Sequence, residues 1–175
     1  MAALLAHAGG AAAASAPSVT VTSHAGSYEV RGVFSTRAPL PIVWQVLTDY
    51  DHIGSFVSSM SRSEVLSRSG DTLRVRQAAD VRAFGVHRTA HLMLAVLERP
   101  HYRIEFTDVS GEDFRSYVGS WSLRADPEST VVSYSVDAAP HASAPRWISR
   151  GIMSHMTSEL LSQVRAEIEK RAKTR

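Results

Sequence analysis

From Tyr28 to Phe34 the chain alternates with a period of two, which predicts a strand although Gly32 weakens the alternation. The period then lengthens. Pro39 and Pro41 open a short helix, because a first turn has no intrahelical use for the amide proton that proline lacks. Ile42, Val43, Val46 and Leu47 fall on one stripe of that helix. Thr48 or Asp49 can cap a second short helix running through Tyr50, Ile53, Phe56 and Val57 by accepting from its first amides.

Period two returns at Arg62. Glu64-Val65-Leu66 reads as strand, Ser69-Gly70-Asp71 as turn, and Leu73, Val75 and Gln77 alternate against Arg74 and Arg76. Further strands are predicted over Val86 to Leu97, Tyr102 to Val109, Phe114 to Leu123 and Thr130 to Ala139. Arg99-Pro100-His101, Ser110-Gly111-Glu112 and Ala125-Asp126-Pro127-Glu128 separate them as turns. These segments make a meander of six strands. Pro145 then opens one long amphipathic helix, with Ile148, Ile152, Met156, Leu160, Val164 and Ile168 on its apolar stripe and Glu159, Arg165, Glu167, Lys170 and Arg171 elsewhere.

Two segments carry a resemblance. Pro41 to Met60 reads PIVWQVLTDYDHIGSFVSSM, and Gly111 to Leu123 reads GEDFRSYVGSWSL. Together they resemble the START-type (SRPBCC) helix-grip superfamily, in its cyclase/dehydrase and coenzyme Q-binding branches, over about Val30 to Arg171. The resemblance implies an α+β helix-grip fold: a curved antiparallel β-sheet of about seven strands wrapped around a long C-terminal helix, with two short helices after the first strand. The element order read from periodicity agrees. The resemblance also implies that Trp121 lies in the core and that Trp44 anchors the first short helix. Ser58 stands where such sequences carry a proline, which implies a looser turn at the mouth of any pocket.

Composition narrows the class. A chain of 175 residues fits one domain able to bury a core unaided. With no cysteine it has no disulfide framework, thiolate chemistry or cysteine-ligated metal. Nineteen Lys and Arg against seventeen Asp and Glu give a net charge of +2, spread along the chain except at its C-terminus, so no nucleic-acid partner is expected. No apolar run approaches the roughly 20 residues of a spanning helix. The expected protein is soluble. Residues 1–18 form a low-complexity alanine tract, read as a leader or the remnant of an export signal. Residues 19–175 form the START-like ligand-binding domain, cytoplasmic or, with an export signal, periplasmic.

One helix laid across a strongly curved sheet leaves a cavity, and apolar cavities are ordinary ligand sites. Arg103 and Glu105 on the outer face place Tyr102, Ile104 and Phe106 inside. Phe114 and Arg115 lie on opposite parities, and Tyr117, Gly119, Trp121 and Leu123 share the parity of Arg115. The latter four are turned inward to suit Trp121, which leaves Arg115 at the rim or inside. There it is either a surface ion pair or a polar anchor for a ligand carboxylate or phosphate. The expected ligand wall is Phe56, Met60, Val75, Phe106, Tyr117, Trp121, Tyr134, Ile152, Met153, Met156 and Leu160. Tyr134 reads equally as core packing, and for Met153 and Met156 filling a core gap is the commoner reading.

Catalytic patterns are thin. No GxSxG elbow, HExxH pair, Walker loop or dinucleotide fingerprint occurs. Asp49, Asp51 and His52 read as solvated helix-start residues, and His87 and His91 as structural, so neither a metal nor a cofactor is expected. Three functions compete. The first is a carrier of a lipid, isoprenoid quinone or polyketide-like aromatic, monomeric and in transient membrane contact for ligand exchange. The second, which the resemblance implies, is a cyclase/dehydratase whose acid–base candidates are Tyr117, Tyr134, His91, His155 and Arg115. The third is a protein-interaction role at a ribosome or respiratory assembly through the basic C-terminus. Binding is favoured, because no two acid–base candidates can be paired from sequence.

Overall fold

The computed structural model describes residues 16–83, 85–141 and 149–174. Eight strands form one antiparallel sheet: β1 (Ser18–His24), β2 (Ser27–Thr36), β3 (Met60–Ser69), β4 (Thr72–Ala83), β5 (Val86–Arg99), β6 (Arg103–Asp108), β7 (Phe114–Asp126) and β8 (Ser129–Pro140). Their order is β1-β2-β8-β7-β6-β5-β4-β3. The expected six-strand meander is β3 to β8, each paired with its successor, and β2 joins it along β8. Helix α1 (Leu40–Leu47) and a 3-10 helix (Tyr50–Ser55) connect β2 to β3, and α2 (Arg150–Lys173) ends the chain. A curved, unclosed sheet with one long helix on it is the helix-grip fold.

Strand β1 is an addition to the expected elements. Val19 and Val21 turn to the core while Thr20, Thr22 and His24 stay exposed, so the alternation is there but short and polar. Its turn to β2 is Ala25-Gly26, both with positive φ (49° and 79°), the backbone of a two-residue primed hairpin. Alanine is an unusual first residue for that turn, which explains why the sequence does not announce it. Ser18 opens this strand. The alanine tract through Ser15 lies outside the described residues.

Helix α2 begins later than Pro145 predicts. Ser149 has an extended backbone, and its hydroxyl accepts from the Ile152 amide as the N-cap. Pro145 and Ile148 lie outside the described residues. Arg165 and Glu167, expected on the solvent side, are both buried, and burial is tolerated because each is ion-paired, Arg165 with Glu169 and Glu167 with Lys170 and Arg171. Tyr102 is also misassigned by its parity: β6 begins at Arg103, and Tyr102 sits in the preceding turn, 62% exposed.

The LTDYD stretch fastens four elements. Thr48 donates to the Trp44 carbonyl of α1. Asp49 supplies no side-chain cap to the 3-10 helix. Its carboxylate instead accepts from His52 at 2.6 Å and from Arg171 of α2 at 2.8 Å. Tyr50 is buried and donates to Glu98 of β5 at 3.0 Å, and Arg68 of β3 donates twice to the same carboxylate. Asp51 accepts from the Val65 amide of β3 at 2.7 Å.

Burial by itself raises the Asp49 and Glu167 carboxyls, but hydrogen bonds and charge outweigh it and hold both below their ordinary values. The partners are His52 and Arg171 for Asp49, and Arg171 and Lys170 for Glu167. A folded pKa below the unfolded one stabilises the protein above the ordinary carboxylate value of about 4, and that stability drains away as pH falls through the lower folded value. Asp49→Asn should lower the melting temperature at pH 7 and flatten its decline between about pH 5 and 3. Melts of equal steepness in both proteins would remove the Asp49 ion pair from the acid response.

Candidate ligand cavity

The cavity exists because α2 is docked on one side only. The helix packs on β1, β2 and α1, and Leu161, Val164 and Ile168 are at most 1% exposed. Gly32 lets this helix close in, since a Cβ there would stand 2.5 Å from Leu161 Cδ1. The N-terminal half of α2 overhangs the concave face of the sheet and encloses a cavity of about 190 Å³.

Strands β6, β7 and β8 give it an aromatic wall. Trp121 and Tyr134 are cross-strand partners with ring centroids 4.5 Å apart, and Phe114 lies 5.0 Å from Tyr117. The Phe106 ring stands 6.1 Å from Tyr117 and 6.4 Å from Tyr134. Gly119 makes room for it, because a Cβ would fall 2.5 Å from both Phe106 Cζ and the Ser135 carbonyl. Leu92, Leu94 and Val96 of β5 face this wall, and Ile152, Met153, Met156, Thr157 and Leu160 of α2 close it.

A bulge settles the parity conflict on β7. Pairing with β8 jumps from Phe114↔Pro140 to Ser116↔Ala139, so Arg115 is the extra residue. Phe114 and Tyr117, three apart, consequently both face inward. Arg115 is exposed and donates to the Pro140 carbonyl at 3.3 Å. It is not a cavity residue.

Of the expected wall, Met60, Phe106, Tyr117, Trp121, Tyr134, Ile152, Met153, Met156 and Leu160 line the cavity. Val75 is fully buried in the core and does not line it. Phe56 also lies outside, half-buried under the Arg171 guanidinium, which sits 5.7 Å from its ring. The sequence reading overlooked Tyr50, Gln77, Phe114 and the β5 residues. Tyr50 was visible in the motif, whereas the uninterrupted apolar run from Leu92 to Leu97 hides which parity faces in.

Among the described residues, none that lines the cavity is charged. Its polar groups are hydroxyls, an amide and an indole, and two of these are engaged elsewhere: Tyr50 with Glu98, and Gln77 with Ser63 at 3.2 Å. Burial, then the Glu98 charge and its hydrogen bond, push the Tyr50 hydroxyl far above its ordinary value. Burial likewise raises Tyr117 and, more strongly, Tyr134. His91 and His155 are exposed, near Asp113 and Glu159, and do not line the cavity. No cluster able to hold a metal occurs among the described residues.

The profile of the family described as polyketide cyclase/dehydrase and lipid transport matches residues 36–165, so the chain belongs to that family. Among solved structures it is similar to a STAR-related lipid transfer protein from Xanthomonas axonopodis, with 20% identity and a TM-score of 0.70, covering 90% of this chain and 96% of that one. An aromatase/cyclase (Zhui) from Streptomyces sp. R1128 is similar at 17% identity and a TM-score of 0.68, covering 84% and 94%. The protein TTHA0849 from Thermus thermophilus reaches 20% and 0.71, covering 82% and 99%. No curated protein matches the chain.

The Gly119 contact makes a test of the wall. Gly119→Ala should cost about 1–3 kcal/mol in urea unfolding, as overpacking does, and should change the near-ultraviolet circular dichroism of the aromatic rings. An unchanged midpoint and spectrum would show that Phe106 does not rest on this glycine.

Proposed function

We propose that the chain binds and carries a small, uncharged apolar molecule in this cavity: a lipid, an isoprenoid quinone or a polyketide-like aromatic. The uncharged lining carries the reading, since a buried ionic group without a partner is costly. The volume of about 190 Å³ is below the roughly 300–1,000 Å³ of drug-sized ligand sites, so longer ligands require the wall to yield. Met60, Met153 and Met156, half-buried and unbranched, are suited to that. The protein works in this reading as a monomeric domain from residue 19 onward, exchanging ligand at membrane surfaces.

The family description and the aromatase/cyclase likeness favour one second reading, a cyclase or dehydratase. Such chemistry needs an acid or base titrating near working pH. Among the described lining residues only tyrosines titrate, and burial moves Tyr50, Tyr117 and Tyr134 away from neutrality, so carriage is better supported. An interaction role through the basic C-terminus has less support still, because Arg171 is held by Asp49 and Glu167.

Met156→Arg should abolish uptake of the neutral apolar fluorophore N-phenyl-1-naphthylamine, while circular dichroism still shows a folded sheet. Unchanged uptake by the folded variant would place the ligand elsewhere. The entrance is testable separately. Gly151 is exposed near the start of α2, and a Cβ there meets nothing nearer than Ser149 Oγ at 3.9 Å, so alanine fits and stiffens the helix by up to about 1 kcal/mol. Gly151→Ala should slow probe release more than it changes affinity. Faster release would move the gate away from the N-terminal half of α2.

A further inference from the structure

The aromatic wall contains a polar pair that the carrier reading leaves unused. Tyr134 is opposite Trp121, so Tyr117 lies four positions further along the sheet, about 13 Å away at the backbone. Both rings nevertheless flank the same Phe106 ring, at 6.1 Å and 6.4 Å. Phe106 rests against Gly119, and both tyrosines line the cavity. Each phenol can donate one proton and accept others, so even a hydrogen bond between the two would use one O–H and leave the second free. That free donor belongs to the wall built by Phe106, Phe114 and Trp121.

We propose that the Tyr117–Tyr134 pair reads the ligand, donating a hydrogen bond to a carbonyl or hydroxyl oxygen on the edge of an otherwise apolar, uncharged molecule lying along the aromatic wall. The proposal rests on the carrier reading and sharpens it to neutral ketones, quinones and alcohols. A carboxylate or phosphate finds no guanidinium or ammonium among the described lining residues to replace its water. A pure hydrocarbon satisfies the wall but leaves the free phenol donor without a partner, a loss avoided by an oxygen placed on it. The raised tyrosines stay protonated at neutral pH, so the pair acts as a donor there and not as a base.

Fluorene and 9-fluorenone test this, because they share a flat three-ring outline and differ by the carbonyl. Wild-type protein should bind fluorenone about tenfold more tightly than fluorene, the worth of one hydrogen bond in a dry site. The fluorenone carbonyl stretch should shift to lower frequency in infrared difference spectra. The double variant Tyr117→Phe/Tyr134→Phe, with its fold checked by melting, should bring fluorenone to the level of fluorene and abolish the shift. Either single variant keeps one hydroxyl and should keep part of both effects. Discrimination that survives in the folded double variant, or wild-type protein that binds both probes equally, overturns the proposal and leaves the carrier reading standing. Binding of neither probe overturns the two together.

Discussion

The placement of α2 governs this molecule. A single helix cannot touch every strand of a curved eight-stranded sheet, and this one is committed to β1, β2 and α1. Leu161, Val164 and Ile168 are fully covered there, each removing apolar surface worth about 1.5–3 kcal/mol from water. Gly32 brings the helix close on that side, and closeness on one side means a gap on the other. The gap is the cavity, so the ligand site follows from asymmetric docking and not from a deficit of apolar residues.

Holding the helix over a gap requires ties that do not depend on filling it. The LTDYD segment provides them: Asp49 grips Arg171, Tyr50 grips Glu98, and Asp51 grips the β3 backbone. Ser58 adds another. Its amide donates to Gln163 Oε1 at 2.9 Å, and Gln163 Nε2 donates back to its hydroxyl at 2.8 Å. A proline there has no amide proton to give. The serine therefore exchanges a stiffer turn for a bond to α2, and the segment beside the mouth is fastened where the family resemblance implied looseness.

Much of the fold was legible because the chain obeys local rules. Alternation found the meander, and Ile42, Val43, Val46 and Leu47 found the buried stripe of α1. What stayed hidden has physical causes. Strand β1 is short, polar and joined by an Ala-Gly turn. Tyr102 keeps strand parity but precedes the strand. Arg115 sits in a bulge, which shifts parity without altering composition, so periodicity alone cannot choose between Phe114 and Tyr117. Phe56 and Val75 carry the right chemistry for a wall, but one shields Arg171 and the other fills the core. Patterning separates inside from outside, and a cavity divides the inside once more.

That second division bears on chemistry. Charged residues do occur on the inner side of this fold, but each is taken out of the cavity by a partner: Glu98 by Arg68 and Tyr50, Glu167 by Arg171 and Lys170. The pairings serve two ends at once. They fix the helices that bound the cavity, and they keep these charges off its surface. General acid–base chemistry needs an ionisable group with a usable proton affinity facing the reacting molecule. Among the described residues every carboxylate, guanidinium and ammonium group is kept out of the lining, which leaves neutral hydroxyls and aromatic faces as its surface.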